Sequence, residues 1–536
     1  MVTERTIINA LIIGASFILA PFVISSAIGE GDYGPTFFFL GFIALMVSFF
    51  YLKDRLCMLP LIGLSVTGSL NFLPLPFQAS HLFCILLILY YISVYIIIRR
   101  KRIIFGKINF LLPILAVTSI LLYHNHNLNV AAVGGETEGG KPAYLVYLVV
   151  VAYFCGINVA QPSVTFVRRV PFYFVIGSIF SCLPFFLTTF FPALAPYVFS
   201  FISNVNVGAY YEAQGYDVGL SEGVIGRIAV FGPLGLALQL YLLCHYPMAS
   251  WLRPERWWIP FVSLVCAALV VASGFRNELF SFGVITVVGI WCHYSWRSLF
   301  VIAPFCLAGF MLLTASSNNL IELPTKKLPL IAQRSMSFLP GDWDQEAIAS
   351  AKSSNDFRKN IQDTYIKEYM RRSPWIGNGY NISVKEYNNY SDVLNNAGAD
   401  NGYLQAKAFI EGKIFHIGWI SAYDGVGIVG SLAFLALAWF EIYMAGRFVF
   451  GTNHRSPFFP LYVWIFCNLV SNMAAFFVVF GDFAQTFSSL CLYALVLTHL
   501  AVMQKAPEVS VAPSQRRERV EFAGLRSASY SLRSKT

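Results

Sequence analysis

The stretch FHIGWISAYDGVGIVG (residues 415–430) marks the point at which the mostly polar segment 316–415 gives way to a long apolar run. It begins with a histidine and then contains an aspartate and four glycines. Positions three or four residues apart share one helix face, here His416, Trp419, Tyr423, Gly427 and Gly430. Glycines on such a face let a neighbouring helix approach closely. We therefore predict a tightly packed helix with His416 held at its outer end.

The composition predicts an all-α integral membrane protein. Of the 536 residues, 57% are hydrophobic and 12% are charged, whereas soluble domains carry about 25% charged residues. Several apolar runs approach the roughly 20 residues that a helix needs to cross a bilayer, where backbone groups must be satisfied internally. We predict about fourteen transmembrane helices, near residues 7–28, 35–52, 56–73, 79–98, 108–124, 143–162, 170–190, 226–246, 257–275, 279–296, 298–315, 417–446, 457–480 and 483–504.

These spans divide the chain into four parts. Residues 1–315 hold transmembrane helices 1–11, 316–415 form a large, partly helical periplasmic loop, 416–504 hold helices 12–14, and 505–536 form a disordered basic cytoplasmic tail. The net charge of +9 does not call for nucleic acid, because the basic clusters fall on one predicted side of the membrane. The positive-inside rule then places both termini in the cytoplasm and the large loop outside.

The cysteines and histidines predict neither a disulfide framework nor a metal centre. All ten cysteines lie in or beside apolar spans, which is typical of small buried hydrophobic residues. His81, His124 and His293 do not cluster with other ligand residues in the sequence. We expect no cofactor and no metal.

The large loop contains one readable helix, in SSNDFRKNIQDTYIKEYMRRSPWIGNGY (residues 353–380). Side chains that recur every four residues predict its buried face, at Phe357, Ile361, Tyr365 and Tyr369. Ser354, Asn355 and Asp356 are candidate N-caps, and Pro374 ends the helix. The glycines of PWIGNGY predict a turn.

Four residues are candidates for chemistry. A histidine at the mouth of a span, such as His416, titrates near neutral pH and can accept a proton from a hydroxyl group. Arg276, in ASGFRNELF (residues 272–280), lies between two spans. An arginine at membrane depth costs about 2.5 to 3.5 kcal/mol, so it faces a partner or a wet cavity. A contact with Glu278 or simple snorkelling to the interface is the alternative.

Arg358 and Arg227 complete the set. Arg358 falls in the first turn of the predicted loop helix, where the helix dipole disfavours a cation by about 0.3 to 1 kcal/mol, so we expect an anion nearby. Arg227 begins a predicted span, with Glu222 as an alternative partner. The triplet DWD (residues 342–344) has the spacing of a metal-binding carboxylate pair, but such triplets are common by chance.

The ordered set of motifs resembles the superfamily of O-antigen ligases and Wzy-type O-antigen polymerases. The motifs are SGxR (residues 273–276), the loop arginine Arg358, P-x-x-G-x-G (residues 374–379) and H-x-G-W-I-S-x-x-x-x-x-G-I-V-G (residues 416–430). The resemblance implies a metal-independent inverting glycosyltransferase in the bacterial inner membrane, active in lipopolysaccharide or exopolysaccharide biosynthesis. It also implies a donor glycan on undecaprenyl diphosphate and, as acceptor, the lipid A core or another lipid-linked repeat unit.

The resemblance assigns roles to the candidate residues. Arg276 and Arg358 bind the donor diphosphate, and His416 is the general base. Arg227 is a further candidate for substrate binding, from its position at the outer end of a predicted span. The role of Asp424 stays open between orienting a partner and pairing with a cation. A lipid-linked oligosaccharide flippase and a non-catalytic export scaffold are the alternative functions. The sequence contains no convincing internal repeat, so an inverted-repeat transporter gains no support.

Overall fold

The computed structural model describes residues 51–70, 78–98, 110–124, 141–191, 230–293, 324–380, 402–413 and 415–505, with single gaps at 252, 416 and 480 and a few short pieces between 193 and 318. Two of the candidate residues, His416 and Arg227, lie outside the described residues. So do the first predicted span, nearly all of the second, most of 298–315, and the tail from residue 506.

The described chain is mostly helical. Its helices are α1 (Leu59–Gly63), α2 (Ala79–Tyr90), α3 (Leu111–His124), α4 (Lys141–Ile157), α5 (Val164–Arg168), α6 (Val170–Phe190), α7 (Phe231–His245), α8 (Trp258–Ala272), α9 (Arg276–Cys292), α10 (Leu330–Met336), α11 (Gln345–Thr364), α12 (Gly402–Glu411), α13 (Gly418–Gly451), α14 (Phe459–Val478) and α15 (Phe483–Lys505). Wider helical turns continue α2 over Tyr91–Ile98 and α11 over Tyr365–Tyr369. Tight helical turns occupy Lys53–Cys57, Met248–Ser250, Pro254–Arg256 and Pro324–Lys327.

One short strand pairing accompanies the helices. β1 (Ser69–Leu70) runs antiparallel to β2 (Ile202–Ser203), with Ser69 opposite Ser203 and Leu70 opposite Ile202.

Six helices of the described chain are long and apolar enough to cross a membrane. They are Ala79–Ile96, Val170–Phe190, Pro254–Ala272, Gly418–Gly451, Phe459–Val478 and Phe483–Gln504. Three shorter apolar helices, Leu111–His124, Ala143–Ile157 and Phe231–His245, lie among them in the chain. The structure thus confirms a helical protein with membrane-crossing character, while the count of fourteen spans and the orientation remain predictions.

The last three helices form the centre of the bundle. α13 packs against α14 and α15, and large side chains such as Trp464, Phe434 and Phe476 are almost fully buried between them. Ser421 of α13 accepts a hydrogen bond from the backbone N–H of Phe483 at 3.1 Å, so the first turns of α13 and α15 lie together. We call this end of the bundle, where α9, α13 and α15 begin and α14 ends, the loop end.

The cysteines behave as predicted in the described part of the chain. Nine cysteines are described, and all nine are buried and unbridged. The tenth, Cys306, lies outside the described residues.

The loop helix begins earlier than the sequence predicts. α11 starts at Gln345, and the side chain of Asp344 caps it by accepting a hydrogen bond from the N–H of Glu346. The cap predicted at residues 354–356 is therefore wrong, because an aspartate ten positions upstream already satisfies the first turn. The buried face is confirmed, since Ile361, Tyr365 and Tyr369 are all 5% exposed or less.

Candidate functional site

Helix α13 is interrupted at Gly427, whose backbone angles of φ 65° and ψ −167° are non-helical. The sequence predicted one continuous helix here, and that prediction is wrong at this residue. A loop, residues 374–379, lies against the break, and we call it the inserted loop. It contains the predicted glycine turn, and Gly377 and Gly379 both adopt positive φ.

The inserted loop takes the place of two helical hydrogen bonds. In an unbroken helix the N–H groups of Ile428 and Val429 would donate to the carbonyls of Asp424 and Gly425. Instead, four bonds join the helix to the loop: Asn378 N–H to Asp424 O (2.5 Å), Gly379 N–H to Gly425 O (3.1 Å), Ile428 N–H to Pro374 O (2.9 Å) and Val429 N–H to Trp375 O (3.0 Å). The four backbone groups of these two helical bonds are thus satisfied, as a membrane-embedded helix requires.

This geometry explains why the stretch 415–430 is rich in glycine. A Cβ atom at Gly377 would lie 2.6 Å from the Asp424 carbonyl oxygen, and one at Gly427 would collide with the backbone of Gly377 and Ile376. Of the two glycines on the predicted face, Gly430 lies close to another helix, since a Cβ there would be 3.3 Å from the side chain of Ile120 in α3. At Gly427 the closely packed neighbour is a loop.

Asp424 lies at the centre of a buried hydrogen-bond network. Its side chain is 2% exposed. One carboxylate oxygen accepts from the Tyr365 hydroxyl at 3.2 Å and from Asn378 Nδ2 at 2.7 Å, and the other pairs with Lys413 Nζ at 2.6 Å. Burial and the neighbouring carboxylate raise the pKa of Tyr365, so its phenol stays protonated and donates. Asp424 therefore pairs with a cation and ties α11, the inserted loop and the turn after α12 to α13.

We expect Asp424→Ala to destabilise the protein by about 3 kcal/mol, because it leaves the half-buried Lys413 without its counter-ion and the Tyr365 hydroxyl and Asn378 amide without their acceptor. Thermal unfolding of the purified protein measures this loss. Asp356→Ala, which removes an exposed carboxylate from α11, is the matched control and should leave the midpoint unchanged. An unchanged midpoint for Asp424→Ala would contradict the structural role of the network.

Arg276 is the first residue of α9, at the loop end. Its guanidinium donates to the carbonyl oxygen of Ala351 in α11 at 3.3 Å, which is the one hydrogen bond it makes within the described residues. No ion pair with Glu278 is formed in this part of the chain, since the two side chains point to different cavities. The alternative of an Arg276–Glu278 contact is therefore wrong.

Arg276 and Arg358 line the same cavity, which has a volume of about 620 Å³. Arg358 reaches it from the middle of α11, so the predicted first-turn position and its dipole argument are wrong. Apart from Arg276, the wall of α9 is a single face without polar side chains: Leu279, Phe280, Gly283, Val284, Val287 and Val288. From residue 276 to 288 this face extends about 18 Å along the helix.

The cavity therefore has a cationic head and an apolar groove below it. Val478 at the end of α14, Val479 directly after it, and Phe338 add further apolar wall. A guanidinium offers five N–H donors in a planar fork, which suits carboxylate and phosphate oxygens. This arrangement fits a ligand with an anionic head group and a long apolar chain.

The segment around His416 is fixed on both sides. Phe415 is 3% exposed and packs in a cluster with Tyr365, Tyr369 and Ile420. On the other side, Gly418 lies against Phe476. His416 itself is outside the described residues, as is Arg227, so their place relative to the cavity stays a prediction.

The structure gives the DWD triplet a structural role, and it identifies two contacts, at Lys413 and Asn378, that the sequence does not predict. Asp344 caps α11 and Asp342 pairs with Lys326 at 2.7 Å, so the DWD triplet has a structural explanation. Lys413 and Asn378 were not singled out at all. The signal available for Asn378 was its position between two glycines of a turn, and for Lys413 there was none.

Comparisons with known proteins do not identify a family for this chain. No protein-family model matches the chain, and a search among curated proteins gives no match.

Proposed function

We propose that the chain is a membrane glycosyltransferase of the O-antigen ligase or polymerase type. It transfers a glycan from undecaprenyl diphosphate to a saccharide acceptor. The observation that carries the proposal is that Arg276 and Arg358, which are 82 positions apart in the sequence, line one cavity at the head of an apolar groove. A polyprenyl diphosphate has the matching shape, with two phosphates at the head and a long apolar chain.

In the proposed reaction, the acceptor hydroxyl oxygen attacks the anomeric carbon of the donor sugar. The bond from that carbon to the phosphate oxygen breaks, and the lipid diphosphate leaves with the bonding electrons. Arg276 and Arg358 stabilise the charge that develops on the leaving phosphate, a role for which preorganised donors are most effective. The acceptor's proton passes to the imidazole of His416.

The inserted loop supports this assignment. It joins the P-x-x-G-x-G motif to the helix that follows His416 by four backbone hydrogen bonds. Two of the motifs that carry the resemblance, 37 positions apart from Gly379 to the start of the second motif at residue 416, are therefore joined by backbone hydrogen bonds. A support of this kind holds a catalytic group in a productive geometry.

We expect His416→Ala to abolish transfer while the protein stays folded, because general-base catalysis contributes about 100- to 10,000-fold. The assay uses purified lipid-linked donor and measures transferred glycan. His245→Ala, an exposed histidine at the end of α7, is the control and should keep full activity. Undiminished transfer by His416→Ala would reject the assigned base.

The proposal also places the protein in its cell. The chain lies in the bacterial inner membrane, with its termini in the cytoplasm and the large loop in the periplasm.

A deletion strain separates the ligase activity from the polymerase activity, since loss of all polymer on lipid A indicates a ligase and retention of a single repeat unit indicates a polymerase. Reconstituted protein that moves the donor across a bilayer without transferring glycan would favour the flippase instead.

A further inference from the structure

A second cavity, of about 380 Å³, lies on the opposite face of α9. Arg276 faces the arginine cavity, whereas Asn277, Glu278 and Ser281 face this one. The ends of α14 and α15 supply much of the remaining wall. We call this second space the polar chamber.

The polar chamber is lined by amides, carboxylates and hydroxyls. The amides are Asn277, Asn468, Asn472 and Gln485, and the carboxylates are Glu278 and Asp482. Five serines and a threonine add hydroxyl groups, and no lysine, arginine or histidine lines it within the described residues. Polar side chains among membrane-crossing helices are costly, so they mark a ligand or an aqueous path.

Two of these groups lack partners that the fold itself could supply. Asn277 Oδ1 is buried and has no hydrogen-bond partner among the described residues, although buried polar atoms are normally satisfied. The half-buried Glu278 carboxyl group makes no hydrogen bond or ion pair within the described chain either. The chamber therefore presents unfilled hydrogen-bond acceptors.

The chamber is also large enough for more than an ion. Its volume falls within the range of about 300 to 1,000 Å³ of small-molecule sites, whereas a single water needs about 10 to 15 Å³ by the same kind of measure. A neighbouring cavity of about 330 Å³ shares Leu64, Asp482 and Gln485 with it and adds the polar side chains of Gln78, Ser80, His81 and Ser488. Asp482 and Gln485 thus lie in the walls of two neighbouring polar cavities.

We propose that the polar chamber binds sugar residues of the transferred glycan, and that it selects neutral or amine-bearing sugars over sugars that carry carboxylates. That the bound sugars belong to the transferred glycan rests on the proposed function, whereas saccharide binding itself does not. It names the class of glycan that the enzyme accepts.

The selectivity follows from the chemistry of the lining. Burial raises the pKa of both carboxyl groups, that of Glu278 to about 7. Their oxygens accept hydrogen bonds from donors on the ligand, and a cationic ligand favours their ionised form. Sugar hydroxyls supply such donors, and a protonated amine adds a charge-assisted bond. A uronic acid brings an anion into a site that has two carboxyl groups and no cation among its described residues, so its charge would be desolvated without a counter-ion.

Three disaccharides of similar size test the proposal, with full-length protein in nanodiscs at neutral pH. They are the glucosamine disaccharide, cellobiose and cellobiouronic acid, and their binding is measured by saturation-transfer NMR with titration. We expect the amine disaccharide to bind about tenfold more tightly than cellobiose, and the uronic acid to show no saturable binding.

Charge-neutral variants test the named residues. Glu278→Gln and Asp482→Asn should each reduce the preference for the amine sugar while cellobiose binding persists. Asp482 also accepts a hydrogen bond from the N–H of Gln485 at 2.8 Å at the start of α15, and asparagine caps a helix as well as aspartate. Glu255→Gln, on an exposed tight turn, is the control and should change nothing.

The outcomes separate this inference from the proposed function. Arg276→Ala should lose transfer yet keep disaccharide binding. Preferred binding of the uronic acid would contradict the proposed selectivity. The absence of saturable binding of any disaccharide by a protein that still transfers glycan would contradict saccharide binding in the chamber. Neither result would contradict the proposed glycosyltransferase activity. Stabilisation by sodium but not by choline, dependent on Glu278 and Asp482 and without saccharide binding, would reassign the chamber to a cation and so overturn the inference.

Discussion

Arg276→Ala is expected to lower the rate of glycan transfer from a lipid-linked donor by at least about 100-fold. Loss of one preorganised donor to a developing negative charge costs about 100- to 1,000-fold in rate. Arg276 has most of its donors available to a ligand, since the carbonyl of Ala351 is the one acceptor it meets in the described chain. Turnover with purified donor and acceptor measures the effect.

Arg358→Ala should have a similar effect, and the double variant should lose less than the product of the two. Both guanidiniums act on one diphosphate in this proposal, and groups that act as a unit are not additive. Lysine at either position should restore only part of the rate, because a point charge replaces a planar fork.

Arg371→Ala is the matched control. Arg371 follows the same loop helix and is exposed, but it does not line the cavity. It should transfer glycan at the normal rate. Equal losses for Arg371→Ala and Arg276→Ala would point to a general charge effect of the loop, and normal transfer by Arg276→Ala would contradict the assigned donor site.

Gly427→Ala is expected to remove the inserted loop from α13. The angles of Gly427, φ 65° and ψ −167°, belong to a region that only glycine populates, and strain of this kind costs about 1 to 3 kcal/mol. A methyl group there would also collide with the backbone of Gly377, Ile376 and Trp375. The backbone groups at the break would then lose their partners, so we expect a total loss above about 3 kcal/mol.

The thermal unfolding midpoint and the transfer rate should both fall for this variant. Gly377→Ala, on the loop side of the same contact, should reproduce the effect, since Gly377 has φ 74° and packs on the Gly427 N–H. Gly451→Ala is the control in the same helix, because a Cβ at this position meets nothing within 4 Å. If Gly427→Ala were as stable as Gly451→Ala, the hydrogen-bonded contact between the inserted loop and α13 would not stabilise the protein as we expect.

Features that depend on neighbours in the sequence were predictable. Apolar runs predicted helices that cross a membrane, because the requirement for internal backbone hydrogen bonds acts within each segment. The recurrence of Ile361, Tyr365 and Tyr369 predicted the buried face of α11, and all three are buried. The start of α11 was missed, since several capping residues compete and only packing selects Asp344.

The break in α13 could not be predicted from the residues of the helix alone. Residues 415–430 alone favour a continuous helix, and the partners that replace two of its hydrogen bonds come from residues 374–379. The same holds for Asp424, whose contacts with Tyr365, Asn378 and Lys413 come from three separate segments. The order of the residues in the sequence does not predict which of these groups contact one another.

The sequence by itself determined that this chain is helical and apolar enough for a membrane, and it marked Arg276 as a cation that faces a partner or a wet cavity. Only the tertiary structure decided that this arginine and Arg358 face one cavity while Asn277 and Glu278 face another. The physical reason is that apolarity and helix formation act over a few residues, whereas a cavity is the space left between helices that are distant in sequence. Its lining is set by how those helices pack.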